Sequence, residues 1–349
     1  MNIDQIDRIF SPWNSANAPG AAVLVVRNGK PVFRRGYGVA DLRTLRPIDA
    51  NTNFRLASFT KQFTAMCIML LVHDGKLHYD DHLTDIFPDF PAYGESITVR
   101  NLLNHTSGLP DYEELLTKQY PNTPDEKIPQ IHDQEVRKLL EQTTAPKFPA
   151  GSRWAYSNSG YVVLGLIVEK VSGKLFGKFL RQRIFAPLGM NGTIVYEKGK
   201  NNVSHRAYGH SKGKDGWRET DQSSTSATLG DGGIYTSIDE LEKWDRALRD
   251  HTLLSETEMR PALTAVQPTG GPAKTDEGTK VSYGFGWFLD PYRGHKRMFH
   301  DGETMGFRTT IQRFPDDGLT VIVLANRTDI NPEELALKVA DLYLDSRGR

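Results

Sequence analysis

Apolar positions cluster in short blocks near the two ends of the chain and recur at helical spacing through its middle. A short amphipathic helix at the start precedes two strand-like runs, 21–27 and 31–38, joined through Asn28-Gly29. That dipeptide accepts the positive φ angles of a tight hairpin, so an antiparallel pair opens the fold. Residues 57–73 then make a long apolar segment with few breakers, closing at Asp74-Gly75, which predicts a buried helix with Ser58 at its very beginning. Between 76 and 227 helical stretches at 97–103, 134–142 and 161–171 alternate with Pro- and Gly-rich turns. Beyond Gly230 the pattern predicts a helix over 238–249, a polar loop over 269–279, and strands at 281–289, 297–300, 307–314 and 319–325. Asp316-Asp317-Gly318 reads as the turn between the last two strands, and a terminal helix follows over 332–344.

Because the first and last parts of the chain both supply strands, one sheet can hold them all. The expected fold is α/β: an antiparallel sheet flanked by helices, with an inserted, mostly helical domain. Residues 1–75 and 228–349 would form the discontinuous α/β domain and 76–227 the insertion, with the active site in the cleft between them.

Composition removes some functions from consideration. At 349 residues, 38% hydrophobic and 25% charged, the chain reads as globular. No segment approaches the roughly 20 apolar residues of a membrane helix. Lys+Arg and Asp+Glu both number 43 and no long basic run occurs, which argues against a nucleic-acid partner. The opening segment carries acidic residues where a signal peptide needs positive charge, so a cytoplasmic location is expected unless a signal has been removed. The single cysteine, Cys67, has no intrachain disulfide partner and sits in an apolar run, where it reads as a buried small hydrophobe.

Three polar groups carry candidate chemistry. In Ser58-Phe59-Thr60-Lys61 the serine and lysine lie three apart, on one face of a helix, where the amine can meet the hydroxyl and accept its proton. The helix start also offers unpaired N–H groups to an oxyanion. In Tyr156-Ser157-Asn158 a phenol and an amide two apart point the same way if the segment is extended, offering an acid or base and a substrate-positioning group. In His300-Asp301-Gly302-Glu303 a glycine permits close approach of substrate to backbone, and an edge strand there can lend an N–H.

The order Ser58-x-x-Lys61, Tyr156-x-Asn158, His300-x-Gly302 resembles the serine hydrolases of the penicillin-binding-protein and class C β-lactamase family, which include D-amino-acid peptidases and carboxylesterases. Further similar segments span most of the chain, among them 102–109 (Leu-Leu-Asn-His-Thr-Ser-Gly-Leu), 185–190, 232–237 and 283–287. The resemblance implies that Ser58 is the nucleophile, that Lys61 and Tyr156 share the base role, and that Asn158 contacts Lys61 and substrate. It further implies that the N–H groups of Ser58 and Glu303 form the oxyanion hole. No cofactor and no metal is implied.

One departure stands out, because β-lactamases of this type carry Lys-Thr-Gly where this chain has His300-Asp301-Gly302. A partly charged histidine with an aspartate beside it weakens the case for an anionic β-lactam. The expected partner is therefore a small-molecule ester, amide or D-amino-acid substrate. Carboxylesterase-like activity is the first expectation, with D-amino-acid peptidase or amidase, then β-lactamase, as alternatives. A penicillin-binding or sensor module that acylates without turnover is the alternative of another class. The cleft loops 110–133 and 203–225 are expected to set specificity. His105 reads as a turn element bracing the helical part, and His78 and His82 as solvated surface.

Overall fold

The computed structural model describes residues 2–344; Met1 and the last stretch of the expected α/β range, 345–349, lie outside it. Helix α1 (Ile3–Phe10) leads into β1 (Ala21–Arg27) and β2 (Lys30–Tyr37). Asn28 and Gly29 both take positive φ, +50° and +75°, as the hairpin requires. Strands β3 (Met298–Thr304), β4 (Phe307–Phe314) and β5 (Leu319–Ala325) complete a five-stranded antiparallel sheet in the order β3-β4-β5-β1-β2. The turn between β4 and β5 is a short 3-10 segment, Pro315–Asp317, closed by Gly318 at φ +57°.

Each face of the sheet is buried by a different set of helices. On one face Val23, Val25, Val321 and Val323 pack with Ile6 and Phe10 of α1 and with Leu335 and Val339 of the terminal helix Pro332–Ala340. That helix ends at Ala340, short of the expected 344, and a turn follows. On the other face Ala22, Leu24, Ile311, Ile322 and Leu324 join the main core with the helices Lys61–His73 and Ile238–Arg249. We call these α2 (Lys61–His73), α3 (Tyr112–Gln119), α4 (Asp133–Glu141), α5 (Asn158–Ser172), α6 (Ile238–Arg249) and α7 (Pro332–Ala340).

Helix α2 is apolar on every side, and Lys61 to Leu71 are all buried, so it stands at the centre of the molecule rather than on its surface. Its first turn is tighter than expected: Ala57–Thr60 is a 3-10 segment and the α-helix begins at Lys61. The stretch from 76 to 227 carries α3, α4 and α5, and also a hairpin, His210–Gly213 with Gly216–Glu219, that the sequence pattern did not suggest.

The expected strand at 281–289 is absent, and only isolated bridges join Tyr283 to Phe288 and Phe288 to Phe299. Two glycines explain this. Gly286 has φ +75°, and a Cβ there would lie 2.9 Å from the Lys61 carbonyl oxygen and the Gln62 Cα. Gly284 is pressed against the Ala262 carbonyl. The segment is a loop that crosses the start of α2 at the closest approach a backbone allows.

Candidate active site

Ser58 sits in the short 3-10 turn ahead of α2, half-buried, with Ala57 before it at φ +50°. A left-handed alanine costs about 1–2 kcal/mol, strain that tertiary contacts must sustain. Replacing Ala57 by Gly is expected to raise stability by about 0.5–1 kcal/mol in urea unfolding while lowering kcat a few-fold, because glycine loosens the turn that aims Ser58.

Lys61 is fully buried, yet its amine is surrounded by acceptors. Nζ lies 3.0 Å from Ser58 Oγ, 2.8 Å from Asn158 Oδ1 and 3.1 Å from the Asp231 carbonyl oxygen. Three acceptors match the three N–H donors of an ammonium. A neutral amine is served equally well, donating to Asn158 and Asp231 and accepting from Ser58.

Asn158 is the first residue of α5, fixed there because the side chain of the N-cap residue Ser157 accepts from Gly160 N–H at 3.0 Å. Its Nδ2 donates to Glu113 Oε1 at 3.3 Å, so the amide bridges Lys61 and a carboxylate. Tyr156, two residues earlier, places its ring 4.9 Å from Lys61 Nζ. Among the described residues its hydroxyl makes no hydrogen bond.

His105 is a turn residue, as expected, and it also organises this segment. It is fully buried at φ +62°, its ring centroid 4.4 Å from that of Tyr156 and 4.6 Å from that of Tyr283. Its Nδ1 accepts from Ser157 N–H at 3.1 Å and its carbonyl from Ala155 N–H at 2.9 Å, which pins both neighbours of Tyr156. Burial, with the Lys61 charge nearby, drives its pKa well below the ordinary histidine range, so the ring is neutral.

Strand β3 brings in the remaining expected residues. His300 is buried; its Nδ1–H donates to the Asp301 carbonyl at 2.6 Å and its Nε2 accepts from Tyr283 Oη at 3.2 Å. Burial first, and Lys61 second, push its pKa down to about 3. This corrects the expectation of partial charge: the ring is neutral throughout the physiological range. Asp301 also departs from expectation. Strand alternation turns its side chain to the opposite face, toward Thr310, and burial with the Glu333 carboxylate beside it pushes its pKa up to about 7.

Gly302 is buried where β3 meets the Ser58 turn. An added Cβ would overlap the Leu56 carbonyl oxygen and Thr309 Oγ1, and Thr309 Oγ1 itself donates to that carbonyl at 2.8 Å. The glycine is thus what lets the strand lie against the residue two before the serine. Glu303 sends its side chain into solvent, where it pairs with Arg308 at 2.7 Å.

Two groups in the site were not singled out from sequence. Asp231 supplies the third acceptor to Lys61, and its Oδ2 accepts from Tyr112 Oη at 2.9 Å. Glu113, at the start of α3, is crowded by protein while one edge stays open to solvent. Desolvation, with Asp111 and Asp231 adding repulsion, pushes its pKa up to about 7. The one available signal was the run of carboxylates Asp111, Glu113 and Glu114 inside the loop expected to set specificity. The expected surface histidines are indeed exposed: His78 lies 3.4 Å from Asp81, and His82 precedes a single helical turn.

Residues 6–345 match the family described as Beta-lactamase, and the chain belongs to that family: it is a serine hydrolase of the β-lactamase and penicillin-binding-protein kind. It is 32% identical over 353 residues to penicillin-binding protein 4* of Bacillus subtilis (strain 168), covering 97% of this chain and 75% of that one. It is 27% identical over 332 residues to a D-aminopeptidase of Cereibacter sphaeroides, covering 93% of this chain and 60% of the relative. Among solved structures, the octameric penicillin-binding protein homologue from Pyrococcus abyssi superposes with a TM-score of 0.81 at 26% identity, covering 98% of this chain and 77% of that one. The D-amino acid amidase from Ochrobactrum anthropi SV3, complexed with D-phenylalanine, gives 0.81 at 25% identity and 97% of each chain. No helix among the described residues is long and apolar enough to cross a membrane.

Proposed function

We propose that the chain hydrolyses small amides and esters of D-amino acids through an acyl-Ser58 intermediate. Ser58 Oγ attacks the carbonyl carbon while Lys61 and Tyr156 take its proton, and the tetrahedral oxyanion faces the N–H groups of Ser58 and Glu303. Tyr156 then returns the proton to the departing amine or alcohol. Water attacks the acyl-enzyme and regenerates Ser58. Asn158 holds Lys61 and positions the substrate, and His300 and Gly302 line the strand beside it.

The observation that carries the substrate class is Glu113, bonded to Asn158 Nδ2 within one residue of the Lys61 amine. A substrate ammonium placed next to the scissile carbonyl would meet this carboxylate and favour its ionised form. The D-aminopeptidase and D-amino acid amidase relatives agree with such a substrate. This raises amino-acid amides above the simple carboxylesters expected first. Simple esters remain the second reading, since an alkoxide leaving group asks less of the acid catalyst. Neutral His300 offers no cation to a β-lactam carboxylate.

The test compares D-alanine p-nitroanilide, a p-nitrophenyl ester without an amino group and a chromogenic cephalosporin at equal enzyme concentration. The D-alanyl compound should give the highest kcat/KM, and Ser58→Ala should abolish turnover of all three. A stable adduct on Ser58 without turnover would instead identify a non-hydrolysing penicillin-binding module.

The Glu113 carboxyl adds a pH signature. Its folded-state pKa of about 7 lies above the ordinary value of 4.5, so ionisation as pH rises through 7 should increase kcat/KM for the amine-bearing substrate. The rise ends where the substrate amine itself deprotonates, near pH 8. Glu113→Gln should remove that limb and raise KM for the D-alanyl substrate, leaving the ester profile unchanged; an equal loss on both substrates would refute amine recognition. The sign for stability is opposite. A carboxyl with a raised folded-state pKa binds its proton more tightly when folded, so its contribution is full below pH 4.5 and is lost as pH climbs through about 7.

A further inference from the structure

A second concavity lies on the core face of the sheet, at the end of β3 away from Glu303. Its volume is about 490 Å³, within the range of ligand pockets, and none of Ser58, Lys61, Tyr156, Asn158, His300 or Glu303 lines it. The floor is one cross-strand row, Met298 opposite Arg313, Arg313 opposite Thr320, and Thr320 opposite Val26. The neighbouring row, His300, Ile311, Ile322 and Leu24, carries only hydrophobic residues apart from the histidine. An arginine at the middle of the floor row is therefore out of keeping with its face.

Arg313 is buried, 7% exposed, and pairs with Asp245 of α6. Its Nε meets Asp245 Oδ1 at 2.7 Å and its Nη2 meets the Asp245 carbonyl at 3.3 Å, while Nη1 rests on Met298 Sδ at 3.3 Å. A guanidinium has five N–H donors, so two oxygen acceptors leave donors over at the wall of the cavity. Asp245 Oδ1 is already shared between Arg313 and Thr320 Oγ1. Arg249, His251, Lys296 and Glu256 also line the cavity, Arg249 being paired with Asp250, while the guanidinium of Arg297 turns to the other face of the sheet, where it meets Glu333. Lys296 is exposed and has no ion-pair partner among the described residues. The remaining walls are apolar: Leu248, Met259, Leu263 and Leu289.

From this arrangement we propose that the cavity is a binding site for a carboxylate carrying an unbranched apolar chain, a medium-chain fatty acid. The planar carboxylate matches the fork geometry of Arg313, which a phosphate-sized head group at the bottom of an apolar cleft would not enter without losing more hydration. Lys296 adds charge at the mouth, and the chain covers the leucine and methionine walls. The site is independent of the substrate assignment above.

The experiment uses the full chain with Ser58 blocked by a covalent phosphonate, so that the catalytic cleft is closed to acyl ligands. Isothermal titration with decanoate below its micelle concentration should show one site per chain, and decyltrimethylammonium, of equal chain length, should not compete. Lys296→Glu should weaken decanoate roughly five-fold at low salt, since an exposed charge contributes modestly and reversal doubles its effect. Ala265→Trp, a half-buried lining residue enlarged into the cavity, should abolish binding while ester turnover by the unblocked protein is retained, which shows that the variant folds. Met298→Leu, which preserves volume, should bind as wild type. Binding of the ammonium as tightly as decanoate, or unchanged decanoate affinity in Ala265→Trp, would overturn the proposal.

Discussion

Lys61→Met is expected to lower kcat/KM by roughly 10²–10⁴-fold on any ester the enzyme accepts, with KM little changed, because the base acts only as the Ser58 proton departs. The same change should leave the thermal midpoint unaltered or slightly raised. Lys61 is fully buried, and exchanging a buried amine for an apolar side chain of similar length removes a desolvation cost. Against that gain, Asn158 Oδ1 and the Asp231 carbonyl each lose a donor. Steady-state kinetics and a melting curve on one preparation separate the two effects. Turnover within ten-fold of wild type would assign the base role to Tyr156 alone, whose ring already stands 4.9 Å from the lysine amine.

The second large effect is expected at a residue with no side chain. Gly302→Ala puts a methyl group into the Leu56 carbonyl and Thr309 Oγ1, and backbone cannot turn aside as a flexible side chain can. Strand β3 must draw back from the Ser58 turn. We expect a loss of about 1–3 kcal/mol in urea unfolding, the usual cost of overpacking a dense interior. We also expect a fall of about 10²–10³-fold in kcat, because the Glu303 N–H would move away from the oxyanion we propose it binds. A shift in midpoint without a fall in kcat would place the oxyanion donors elsewhere.

Much of this fold is legible in the sequence. Strands β4 and β5 and helix α6 lie where the pattern put them, since their local periodicity and their tertiary environment agree. The run at 281–289 misled for a physical reason: its apolar residues are buried, as in a strand, but Gly286 serves a close crossing over α2, and Gly284 one over Ala262, instead of a ladder. Spacing placed Ser58 and Lys61 on one turn, but S-x-x-K is common, and only its order with Tyr156, Asn158, His300 and Gly302 singled the pair out. Asn158 joined them only through the family pattern, for a contact across 97 residues leaves no local trace. Asp231 could not have been found at all, because it serves Lys61 with a backbone carbonyl that every residue type possesses. The charge state of His300 was misjudged because residue type sets only a starting pKa; burial first, and the Lys61 charge second, set the rest.

The sheet order has a kinetic consequence. Ala21 in β1 lies opposite Ala325 in β5, and every residue of β1 is paired with that late strand. The opening hairpin can form within microseconds of its synthesis, yet its inner edge stays unsatisfied until β5 has been made. Loop-closure entropy for so distant a pairing must be spent before any contact rewards it, which predicts slow folding with an exposed strand edge in the interim. During translation that edge would be the segment most in need of a chaperone.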